Sequence, residues 1–104
     1  MANTKYDFEV SSEVLLADTR RLTNQLWKLI PMRENEENWK EQLVTVLLEI
    51  VGLKSLFFGS TKFLILITKL EGLREEDVDF AIYRKTVFEA ISLLNEIYRE
   101  IVNE

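Results

Sequence analysis

Residues 43–70 read LVTVLLEIVGLKSLFFGSTKFLILITKL, and the fold turns on how that run is divided. Only Glu49, Lys54, Lys62 and Lys69 in it are charged. A membrane-spanning helix needs about 20 predominantly apolar residues in succession. Here the charges cut the run into pieces of at most seven uncharged residues. Gly59, Ser60 and Thr61 then punctuate its middle. A charge at bilayer depth is costly, and an exposed turn there leaves backbone groups unpaired. The run therefore divides into two consecutive core elements joined by a tight turn, and no membrane span is expected.

Both halves read as helices. Trp39, Leu43, Val46, Leu47, Ile50, Leu53 and Phe57 recur at three-four spacing, with Val44, Leu48 and Val51 as a second face. That helix is expected from about residue 36 to Phe57 or Phe58, capped by Asn35, with Glu36 and Glu37 in its first turn. Gly52 inside it is read as a point of close helix approach or a bend. Residues 63–67, FLILI, have strand-favouring side chains. A buried strand and a buried helix share this pattern. No pairing partner is evident elsewhere, and a lone strand would orphan its backbone groups, so helix is expected, begun by Ser60 or Thr61 and ended by Gly72.

Upstream, Ser11 or Ser12 caps a helix whose apolar face is Leu15, Leu22, Leu26 and Leu29, widened by Leu16, Trp27 and Ile30. Pro31 disfavours the α conformation at the residue before it, so this helix is expected to stop at Ile30. Before it, Tyr6, Phe8 and Val10 alternate with Asp7 and Glu9, the period of an extended segment. Three apolar residues are too few for a strand pair of their own. A tail laid along a helix groove is expected, with an edge that pairs with a partner as the alternative. Downstream, a long helix is expected from about Arg74 to Val102. Glu75, Glu76, Asp77 and Asp79 suit its positive end. Val87, Ile91, Leu94, Tyr98 and Ile101 step by four and three. The fold class is all-α: a compact antiparallel bundle of about four helices, three long and one shorter, over residues 11–104, preceded by an extended tail over 1–10.

Composition supports a packed core and removes much chemistry. The chain has 104 residues, of which 47% are hydrophobic, with one Pro and three Gly. That is enough apolar content for one core and too few turn residues for an all-β fold. There is no Cys and no His. Disulfides, thiol chemistry, the usual structural zinc sites and the commonest general base are all removed. Residues 1–10, MANTKYDFEV, carry no apolar signal region. The default expectation is a reducing, cytoplasmic setting. The net charge of −5 suits phosphate backbones poorly.

Carboxylates can still hold divalent cations. Some all-helical nucleotide pyrophosphohydrolases use paired acidic residues at helical spacing. Glu34 with Glu37 and Glu76 with Asp79 are the nearest matches. Both pairs lie at expected helix starts, where capping and the helix dipole account for them. A metal-dependent nucleotide hydrolase is therefore a distant alternative, and no cofactor, metal site or catalytic residue is assigned.

What remains is a small protein-interaction or regulatory module, non-catalytic, binding a protein partner or further copies of itself. Apolar residues in excess of one packing seam would carry the contact. Val44, Leu48, Val51, Phe58, Phe88 and Val102 are those candidates, with being simply core as the alternative for all six. Arg84 falls on the seam between Phe80 and Val87. It would either snorkel to water or pair with an acid across an interface. An accessory subunit of a nucleic-acid-processing complex is the second reading, with Arg20, Arg21 and Lys28 as its small basic patch.

Overall fold

The computed structural model describes residues 2–3, 9–57 and 61–103. Four helices follow a pair of two-residue strands: β1 (Ala2–Asn3), β2 (Glu9–Val10), α1 (Ser12–Glu34), α2 (Trp39–Leu56), α3 (Thr61–Glu75) and α4 (Phe80–Val102). The helices form a square, α1 touching α2 and α4, and α3 touching the same two. Contacts fix their directions. Arg21 meets Glu49 while Arg33 meets Trp39, so α1 and α2 run antiparallel. Leu29 meets Tyr83 while Trp27 meets Phe88, so α4 opposes α1. Lys62 meets Glu100 while Lys69 meets Glu89, so α3 opposes α4. This is the expected all-α antiparallel bundle, 42 × 22 × 19 Å in extent. Among the described residues, no helix is long and apolar enough to cross a membrane.

The buried positions are largely those the periodicity marks. Leu15, Leu22, Leu26 and Leu29 of α1 meet Leu43, Val46, Leu47 and Ile50 of α2 in one core with Phe63, Leu66, Leu70 and Leu73 of α3. Tyr83, Val87, Ala90, Ile91, Leu94, Ile97 and Ile101 close it from α4. Burying a side chain of this size is worth about 1.5–3 kcal/mol. Residues 63–67 are helical.

The ends of the helices differ from expectation. α1 does not stop at Ile30 but passes through Pro31 to Glu34. Proline deletes one helical hydrogen bond, the one its missing amide would give to the Trp27 carbonyl. The turn beyond it is held by other means. The amide of Asn35 donates to Pro31 O at 3.0 Å, and that of Glu37 to Met32 O at 2.8 Å. Arg33 donates from Nη2 to the carbonyl of Val78, 45 residues away.

Asn35 is therefore the C-cap of α1 and not the N-cap of α2. Glu36 follows in a left-handed conformation, φ 56°, which reverses the chain. Asn38 caps α2 instead, its Oδ1 accepting from the Glu41 amide at 3.4 Å. Its Nδ2 donates to Glu41 Oε2 at 2.7 Å, a reciprocal arrangement like a capping box.

Gly72 does not end α3, which continues to Glu75, with the Glu76 amide donating to Gly72 O at 2.9 Å. α4 accordingly begins at Phe80 and not near Arg74. Asp79 is its N-cap, accepting from the Ile82 amide at 3.0 Å. Gly52 marks no close approach: a Cβ there would meet nothing within 4 Å. The caps expected at Gly59 and Ser60 fall outside the described residues.

At the N-terminus β1 and β2 pair antiparallel, Ala2 opposite Val10 and Asn3 opposite Glu9. The pair forms despite the few apolar residues of the tail. Its bonds are backbone bonds, and Val10 packs against the bundle core. Tyr6 and Phe8 fall outside the described residues.

Candidate protein-interaction face

α4 is amphipathic, and its inward stripe is the buried set that begins at Tyr83. The seam position between Phe80 and Val87 belongs to Tyr83, not to Arg84. That one-residue shift turns Arg84 outward. Its guanidinium lies 5.1 Å from the ring centroid of Phe88. Phe88 is half-buried and packs on the core. Trp27 of α1 meets its ring edge-on, with centroids 4.9 Å apart and planes at 73°. Trp27 itself is 47% exposed. Edge-on aromatic pairs are favourable beyond their buried area, so the two rings hold each other in place with one of them still open to water.

Phe88 lies between two grooves. One, of about 400 Å³, separates α1 from α4 and is lined by Trp27, Ile30, Pro31, Glu34, Phe80, Arg84 and Phe88. The other, of about 460 Å³, separates α3 from α4. Ile65 and Lys69 supply its α3 wall. Lys85, Phe88, Glu89, Ser92, Leu93 and Glu96 supply its α4 wall. Ion pairs stitch α3 to α4. Lys69 Nζ donates to Glu89 Oε2 at 2.6 Å, and Lys62 Nζ to Glu100 Oε1 at 2.6 Å. The hydrogen bond from Lys69 holds the Glu89 carboxyl below the usual carboxylate range. The bond to Glu100 raises Lys62. Among the described residues, the ion pair of Lys85 is a long one, to Glu89 at 4.0 Å, and Lys85 is 79% exposed.

The other sequence candidates are dispersed. Val44, Leu48 and Val51 share the outer face of α2, where Leu48 is 66% and Val51 42% exposed and Val44 is half-buried. Val102 is half-buried against the core at the far end of α4. Phe58 lies outside the described residues. Arg84 and Phe88 are thus brought together, and the α2 residues form a separate aliphatic stripe. Arg20 and Lys28 are exposed on α1. Arg21 is engaged by Glu49 at 2.7 Å and Asp18 at 3.8 Å. Asp79 is occupied as a helix cap. Among the described residues, no group of three or more acidic side chains converges as a metal site would require.

Two features escape the sequence pattern. Leu64 and Ile65 are 56% and 46% exposed on α3. Five apolar residues in a row on a helix must place some outside, which is the signal that could have identified them. The other is a closed aromatic corner where α1 meets α4. Tyr83 Oη donates to the Leu29 carbonyl at 3.0 Å. The Arg33 guanidinium lies 4.6 Å from the Tyr83 ring and 5.7 Å from the Trp39 ring. Burial pushes the Tyr83 phenol well above its ordinary pKa, with the nearby Arg33 charge opposing that shift. No spacing rule connects Arg33, Trp39 and Tyr83.

No protein-family model, curated relative or solved structure matches this chain.

Proposed function

We propose that this chain is a small cytoplasmic protein-interaction or regulatory module, non-catalytic, that docks its partner on the outer face of α4 around Phe88. The observation that carries this reading is the position of Phe88, an aromatic anchor between two grooves with Trp27 half in water beside it. Aromatic residues and arginine dominate binding energy at protein interfaces, and they do so from the centre of a patch. Trp27, Arg84 and Phe88 supply that centre, and Ile65 with Leu93 extends its apolar area. The basic patch of Arg20, Arg21 and Lys28 supports a nucleic-acid role less well. Two carboxylates already neutralise Arg21, and phosphate binding depends on free cations.

Affinity capture from the native cell, with three baits in parallel, tests this. The wild type and Leu48→Glu should retain the same partner, which includes untagged copies of the chain itself. Phe88→Glu should lose it while keeping the circular dichroism of the wild type. Retention of the same proteins by Phe88→Glu defeats the reading.

A further inference from the structure

We infer that the partner of the α4 face is a second copy of this chain, with the two α4 helices packed antiparallel about a two-fold axis passing between Glu89 and Ser92. The inference rests on the interaction-face reading above and names its occupant. Lys85, Phe88, Glu89, Ser92, Leu93 and Glu96 step by three and four along one side of α4 and line one groove. The stripe is charge-complementary to its own reverse. Placed antiparallel in this register, Lys85 meets Glu96 of the second copy, Phe88 meets its Leu93, and Glu89 meets its Ser92. A two-fold axis makes each contact twice.

The two charges suit this use. Lys85 is 79% and Glu96 47% exposed, and Glu96 already has a 3.6 Å contact with Lys62, a lysine it shares with Glu100 at 2.6 Å. Among the described residues, the carboxylate paired with Lys85 is that of Glu89, 4.0 Å away. The two aromatic–aliphatic contacts lie between the outer charge pairs and the central Glu89–Ser92 contacts, so apolar area is flanked by polar contacts on both sides. Within one chain Lys85 and Glu96 are eleven residues apart on one helix. At about 1.5 Å rise per residue they are too far apart to pair with each other.

The experiment measures dimer dissociation by sedimentation for the wild type, Lys85→Glu, Glu96→Lys and an equimolar mixture of the two variants. Each variant alone sets two like-charge pairs against each other across the interface, so its dimer should be about tenfold weaker. The mixture restores both pairs in the heterodimer, which should return to within about threefold of the wild type. All three substitution samples should keep the helical signal of the wild type, because both side chains are exposed and the ion pairs they lose, Glu96 with Lys62 and Lys85 with Glu89, are surface pairs. A dimeric wild type whose variants behave so supports the proposal. A dimer indifferent to the charges, or a mixture no tighter than its components, overturns it. A wild type that is monomeric at every concentration overturns it too. In that last case the capture experiment still decides the interaction-face reading, because a different protein lost on Phe88→Glu would sustain it.

Discussion

Arg33 lies 4.6 Å from the ring centroid of Tyr83, and Arg84 lies 5.1 Å from that of Phe88. Around Arg33 the contacts are with groups of the same chain. Its Nη2 is bonded to the Val78 carbonyl, a second ring lies 5.7 Å away, and the Tyr83 hydroxyl is bonded to Leu29 O. Tyr83 has no exposed surface. Around Arg84 the same chemistry faces water, its neighbouring Trp27 is 47% exposed, and grooves run along both sides of Phe88. A cation over an aromatic ring gains more when water is excluded. The corner is already desolvated by its own chain, so its interactions stabilise the fold. The α4 face gains that desolvation only when something covers it. The same pair of residue types is therefore structural in one place and poised for binding in the other.

Substitutions should separate the two roles, and the corner should show the largest effects on stability. Tyr83→Ala removes a fully buried ring and should cost about 3–5 kcal/mol in urea unfolding. A loss below about 1 kcal/mol would show that the corner is not the closed lock described. Arg33→Ala removes a charged hydrogen bond and the contacts with both rings, and should cost about 2 kcal/mol by the same measurement.

Tyr83→Phe should cost about 1 kcal/mol at neutral pH by deleting the bond to Leu29 O. It also carries a pH signature. A tyrosine in the unfolded chain ionises near pH 10, whereas buried Tyr83 keeps its proton above that point. The native state then binds more protons than the unfolded one, so stability falls as pH rises past about 10. Tyr83→Phe should flatten that fall, and a slope unchanged by the substitution would contradict the burial of the hydroxyl. At the other end of the scale, Arg84→Ala should change stability by no more than about 0.5 kcal/mol while weakening association. A loss comparable with that of Arg33→Ala would erase the contrast.

The sequence made the helix interiors legible because burial repeats. The line Val87, Ile91, Leu94 and Ile101 was visible without coordinates, and so was the α1 face from Leu15 to Leu29. The ends were harder because they depend on distant partners. Pro31 signals a stop, yet the turn after it is held by Arg33 reaching Val78 on another segment. Asn35 and Asn38 are equivalent as caps on paper. The left-handed conformation of Glu36 decides between them.

The candidate face was half legible. Phe88 and Arg84 stand out, Phe88 as apolar surplus and Arg84 as a charge on a seam. Trp27 belongs to a different helix, and its edge-on contact with Phe88 needed the antiparallel packing of α1 and α4. Leu48 and Val51 were equally visible as surplus. They lie on α2, whereas the Trp27–Phe88 pair is built by α1 and α4.

The most direct test is a sedimentation concentration series on the wild type, Phe88→Glu and Leu48→Glu. The wild type should pass from monomer to dimer, Leu48→Glu should follow it, and Phe88→Glu should remain monomeric with its helical signal close to that of the wild type. A wild type that never dimerises, or a dimer broken by Leu48→Glu and indifferent to Phe88→Glu, contradicts the assignment of association to α4.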